Sequence, residues 1–169
     1  MRHESTKRAT IAAAAILALI PFSSDRAAAQ SGGRYEYAVK FVCGNNIAAP
    51  ISPAAAVGAY FTAINVHNPG SEAVAFVHKV ALAERGRPGR HTALIAPFRL
   101  AYDEATDVDC QLIAREMASG GIPPPPFYTG FFVIQATSPL DVVAVYTAAP
   151  ARAGAVTTMT TERVPVRMR

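Results

Sequence analysis

The chain has no tryptophan and only two cysteines, Cys43 and Cys110, in 169 residues, and these are not in Cys-x-x-Cys spacing. The first absence removes the buried tryptophan that marks antibody domains. The second removes the paired thiols of redox and zinc motifs. No histidine follows Cys110, so the close Cys, His and Met set of a blue-copper site is missing too. No Gly-x-Ser-x-Gly occurs, and Ser31, Ser52, Ser71, Ser119 and Ser138 all stand in turn-like or terminal contexts, which leaves serine hydrolysis without a nucleophile elbow. There is no internal repeat, and past the N-terminal region no apolar run spans a bilayer. The alternating segments are too few for an outer-membrane barrel. No cofactor is implied.

What is present begins at the N-terminus. Basic Arg2, Lys7 and Arg8 precede the apolar run from Ile11 to Phe22, and Ala27-Ala28-Ala29 stands before Gln30. A short apolar core with a small-residue ending reads as a secretory signal over residues 1–29, removed to leave one domain over 30–169. The expected location is the periplasm or the medium. The formal charge of +4 comes from 16 basic and 12 acidic residues, and the leader holds four of the former and two of the latter. The remaining 12 against 10 is too mild for nucleic acid, which calls for a concentrated basic stripe. Arg163, Arg167 and Arg169, and the turn residues Arg85, Arg87 and Arg90, read as solvated surface charge.

Both cysteines survive cleavage into a compartment where disulfides persist, so a Cys43–Cys110 bridge is expected. Closing a loop of that length stabilises by about 4 kcal/mol in the chain-entropy model.

Period-two alternation then sets the fold class. Tyr35, Tyr37, Val39 and Phe41 alternate with Glu36, Ala38 and Lys40 in a first strand, followed by a loop holding Pro50 and Pro53. Ala59 to His67 and Ala73 to Ala83 flank Asn68-Pro69-Gly70-Ser71 and read as a hairpin. Glu84 to Gly89 closes a second hairpin onto His91 to Leu100, where Pro97 marks an edge or a bulge. Thr106-Asp107-Val108-Asp109 reads as the capped start of a short helix that ends at Ser119-Gly120-Gly121. Phe127 to Thr137, Leu140 to Ala148 and about Ala155 to Val166 complete seven strands. The expected fold is all-β, an antiparallel seven-stranded immunoglobulin-like β-sandwich with one short helix.

At Thr62-Ala63-Ile64-Asn65-Val66-His67-Asn68-Pro69, Asp109-Cys110 and Pro139-Leu140-Asp141-Val142-Val143-Ala144-Val145-Tyr146, the chain resembles uncharacterised secreted bacterial β-sandwich proteins. It is loosely similar to the sensory-rhodopsin-transducer type of sandwich. The resemblance implies an accessory, non-catalytic domain.

The histidines are the first place to look for metal chemistry. In the expected hairpin His67 and His78 lie roughly 16 Å apart, at about 3.3 Å per residue, far beyond one zinc ion. His67 reads instead as a strand-end residue satisfied by the turn. Asp103, Glu104, Asp107 and Asp109 form an acidic loop, but the sixth-position glycine and terminal glutamate of an EF-hand are missing. The segment Pro123, Pro124, Pro125, Pro126, Phe127 and Tyr128 suits partner binding, since preformed polyproline loses little entropy on docking; its plainer reading is a stiff spacer. The functional expectation is a non-enzymatic binding or structural accessory domain that pairs by a sheet edge with itself or with another envelope or extracellular protein. The alternative is a small extracytoplasmic metal-binding protein or hydrolase using loop 103–109.

Overall fold

A computed structural model describes residues 33–48, 52–53, 55–150 and 158–169. The leader expected over 1–29 lies outside them. The described chain is all-β and antiparallel, with one short helix. Its strands are β1 (Tyr35–Asn46), β2 (Gly58–His67), β3 (Val74–Leu82), β4 (Ile95–Leu100), β5 (Ala105–Asp109), β6 (Phe127–Ala136), β7 (Asp141–Pro150), β8 (Thr158–Arg163) and β9 (Arg167–Met168), and the helix α1 is Cys110–Ser119. The seven expected strands are all there, and the short β5 and β9 are additional.

The strands hydrogen-bond in the order β4-β3-β6-β1-β2-β7-β8, with β5 beside β2 and β9 beside β1. Together they make one open, sandwich-like sheet of nine strands. β1 is the hinge. It pairs with β6 from Tyr35 to Gly44 but with β2 only at Gly44, Asn45 and Asn46. Gly44 makes that change of partner possible, because its φ of +93° suits glycine and a Cβ there would meet the Pro126 carbonyl oxygen at 2.0 Å. Alternation then does the packing. Tyr37, Val39, Phe41 and Cys43 of β1 point inward and are buried with Ile64 and Val66 of β2, Phe132 and Ile134 of β6, and Val142 and Ala144 of β7.

Two expectations fail here. β2 and β3 do not form a hairpin: β2 pairs with β1, β5 and β7, whereas β3 pairs with β4 and β6. The Asn68 turn carries the chain from β2 to β3, which lie on opposite sides of β1 in the strand order. The buried Asn68 amide donates to the carbonyls of Glu72, Leu100 and Ala101 and accepts from Gly70 N, so it fixes a crossing loop rather than a strand-to-strand turn. Thr106 does not cap the helix either. It sits inside β5 opposite Val66, and the cap is Asp109, whose carboxylate accepts from Leu112 N at 2.7 Å. Gly120 and Gly121 end the helix as expected, Gly121 with φ +75°.

The second hairpin is present between β3 and β4. The register slips between Phe76 and His78, where Pro97 lies on the facing edge strand, so Pro97 marks both an edge and a bulge.

Candidate functional site

Polar groups in this molecule fall into two sets. The first is used up internally, at the corner where β1 leaves β2. β5 takes over the vacated edge of β2 from Ala63 onward, so a gap opens at Thr62. The buried Thr62 closes it: its hydroxyl accepts from Val42 N and donates to Val42 O, both at 3.0 Å. The Cys43–Cys110 disulfide spans the same gap with a Cα–Cα distance of 5.7 Å, and the Thr62 amide points at Cys110 Sγ. Tyr128 donates to the Cys110 carbonyl at 2.8 Å. Between β1 and the β6–β7 connection, the Tyr37 hydroxyl donates to Leu140 O and accepts from Leu140 N.

Helix α1 starts at that disulfide and buries Cys110, Ile113 and Met117. Its second anchor is a buried polar contact. Glu116 meets the fully buried His78 at 2.8 Å, among the rings of Phe76, Phe98 and Phe132. Its hydrogen-bond partner ties the helix to β3, and His78 Nδ1 and Glu116 Oε2 are buried without a partner among the described residues.

The second set faces solvent. β3 runs out at Leu82, which lies opposite Gly130 near the start of β6, and Ala83 N still bonds Thr129 O at 2.9 Å. This long-range pairing brings the loop from Glu84 to Arg90 alongside the proline segment that leads into β6. A groove of about 950 Å³ lies between them. One wall is Glu84, Arg85, Arg87 and Arg90; the other is Pro125, Phe127 and Tyr128, with Ser52 and Pro53 from the β1–β2 connection; Lys40 and Thr129 also line it. Gly89 lets the loop close this tightly, since a Cβ on it would stand 1.9 Å from the Leu82 carbonyl oxygen.

The electrostatics of the groove are one-sided. Arg87 Nε and Arg90 Nε grip the two oxygens of Glu84 at 2.6 and 3.1 Å. The side chain of Glu84 is 16% exposed beneath guanidiniums that are 73% and 56% exposed. The Arg90 hydrogen bond, and then that from Arg87, hold the Glu84 carboxyl below its ordinary range. Burial holds the Lys40 ammonium below its ordinary range as well, and its Nζ lies 5.2 Å over the Phe131 ring. Arg85 has no hydrogen bond or ion pair with the described residues.

The proline segment divides along its length. Pro123, Pro125 and Pro126 are exposed, Pro124 and Phe127 are half-buried, and Tyr128 is buried. Pro126 O accepts from Asn45 N, and Phe127 packs edge-on against Tyr60. The acidic loop is dispersed instead of gathered. Asp103 bonds His67 Nε2 at 3.0 Å, Glu104 accepts from Ala101 N, Asp107 lies within β5 and Asp109 caps α1. His67 also lies 3.7 Å from Asp141, and its hydrogen-bond partner is Asp103 and not the turn. Among the described residues no group of three or more His, Cys, Asp or Glu could hold a metal ion, and no helix is long and apolar enough to cross a membrane.

In the sequence the arginine turn and the proline segment stand apart, and the arginines read as solvated charge. The signal that would have joined them is the pairing of the β3 end with the β6 start. No protein-family model matches the chain, and no curated protein matches it at a significant level. Its structure is similar to the crystal structure of Thermotoga maritima 1070, with a TM-score of 0.48 and 10% sequence identity, over 80% of this chain and 95% of that one.

Proposed function

We propose that the chain works outside the cytoplasm as a non-catalytic binding domain whose recognition surface is the groove between loop 84–90 and the proline segment. One observation carries this reading. The groove gathers four cations and one carboxylate against an apolar proline and phenylalanine wall, and the guanidinium ends of its arginines are not consumed by the fold. The disulfide supports an oxidising location, since such bonds persist outside the cytoplasm. The partner is another envelope or extracellular protein.

The test is a photo-crosslinking residue at position 85, compared with one at Arg115 on the exposed side of α1, in the native envelope. A defined adduct is expected from position 85 alone. The purified partner should rebind the wild-type chain and lose affinity for the Arg87→Ala/Arg90→Ala variant. An adduct from position 115 only, or rebinding indifferent to the arginines, overturns the reading.

A second reading is favoured by β8, whose six residues are all exposed and which pairs with β7 over six consecutive positions without a register slip. Unlike β4, it carries no proline or bulge to discourage a further strand. Edge pairing there would produce a discrete oligomer that β8 proline substitutions abolish and groove substitutions leave intact.

A further inference from the structure

We infer that the occupant of the groove is an extended acidic peptide segment carrying at least one apolar side chain; this rests on the groove being the recognition surface. The molecule already contains a template for the acidic part. Glu84 shows that a carboxylate seats between Arg87 and Arg90, and it does so through their Nε atoms alone. A guanidinium held at Nε keeps its two terminal nitrogens as an end-on fork, the geometry that takes a carboxylate with two parallel hydrogen bonds. Two such forks are therefore fixed in orientation by the protein's own carboxylate. Arg85 and the desolvated Lys40 add two further positive groups along the same groove. A single small anion would engage one fork. A chain with several carboxylates engages them together.

The apolar wall selects among polyanions. Pro125, Phe127 and Leu82 offer surface with no side-chain donors or acceptors. A sugar chain presents hydroxyls that need amide or carboxylate partners, and here the one carboxylate is already held by two arginines while no Asn, Gln or Asp lines the groove. A nucleic acid needs open aromatic faces for its bases, whereas Phe127 is half-buried and packed against Tyr60. An acidic peptide with a Leu or Phe among its carboxylates satisfies both walls.

Fluorescence anisotropy on the oxidised protein tests this with a labelled pool of acidic hexapeptides containing one Leu or Phe. A lysine-containing counterpart pool and an acidic pool lacking the apolar residue serve as controls. Inorganic phosphate and a single-stranded oligonucleotide are run in parallel. The acidic apolar pool should bind and the lysine pool should not. Affinity should fall with added salt and drop about tenfold or more in Arg87→Ala/Arg90→Ala, the scale of lost charge-assisted forks. Removing the apolar residue from the peptide should weaken binding severalfold, and Phe127→Ala should erase that difference. Arginine-dependent binding of phosphate or oligonucleotide without peptide binding overturns the peptide assignment and leaves the groove as a recognition surface. Absence of any arginine-dependent binding overturns both.

Discussion

The corner at Thr62 and the groove at Arg87 are both polar, and they use polarity in opposite ways. At the corner the Thr62 hydroxyl serves as donor and acceptor to one strand, the disulfide closes the gap beside it, and the Tyr128 hydroxyl caps the Cys110 carbonyl. No hydrogen-bonding capacity there is directed outward. In the groove the one carboxylate is doubly held while the guanidinium ends and Arg85 remain open to solvent. Burying a polar group without a partner costs stability, so donors are left spare at little cost only where water covers them; the buried His78 Nδ1 and Glu116 Oε2 are the exceptions among the described residues. Polar groups satisfied by the fold hold the architecture; the donors at the concave surface are the ones the proposed recognition would use.

Substitutions should separate the two regions by size of effect. Cys43→Ser/Cys110→Ser should cost the most, about 4 kcal/mol for the loop it closes, read as a lowered denaturation midpoint that matches the reduced wild-type protein. A loss under about 1 kcal/mol would mean that Thr62 and the packing of α1 hold the corner without the covalent link. Glu116→Ala removes the partner of a fully buried histidine at the other end of the helix anchor. It should cost about 1 to 3 kcal/mol, and Glu116→Gln distinctly less because the amide can still hydrogen-bond Nε2. Chemical denaturation of the two variants side by side is the check.

Alkaline titration gives a smaller effect, carried by the buried Tyr37 and Tyr128 and the half-buried Tyr146. Burial raises the hydroxyl pKa of Tyr37, Tyr128 and Tyr146, and for Tyr146 the hydrogen bond it donates to Glu162 adds to the rise. Each then holds its proton in the folded state to higher pH than the ordinary value of 10.0. Above that value the unfolded chain binds fewer protons, so this stabilisation is complete at lower pH and is lost as pH rises through the folded values. Tyrosinate absorbance should show late titration of these groups, and melting temperature should fall over the same range. The smallest effect belongs to the groove. Arg85→Ala/Arg87→Ala/Arg90→Ala removes guanidiniums that lie mostly in solvent and should move the denaturation midpoint less than either interior substitution.

Much of the fold was legible because inward and outward residues alternate. The buried Tyr37, Val39, Phe41 and Cys43 stand at every second position of β1, and Pro97 correctly flagged an irregular edge. The disulfide followed from compartment and count, with no knowledge of geometry. The β2–β3 connection was not legible, because Asn68-Pro69-Gly70 carries turn residues whether the chain doubles back or crosses to the far side of β1. What decides is the set of three carbonyls that Asn68 reaches, two of them more than thirty residues away. β5 was mistaken for a helix start for a related reason. An edge strand carrying Thr106, Asp107 and Asp109 has the composition of a cap, and only Asp109 serves as one. The groove was half legible. Its two walls are local sequence features, but they meet through strand pairing between residues nearly fifty positions apart, which no local pattern encodes.

The most direct measurement is native mass spectrometry of the unreduced protein and its Arg85→Ala/Arg87→Ala/Arg90→Ala variant, each purified from the cell envelope. The wild-type chain should carry a bound partner, and the variant should be recovered folded, with its disulfide intact and without that partner. The same partner retained on both proteins would contradict the assignment of the arginine groove as the recognition surface.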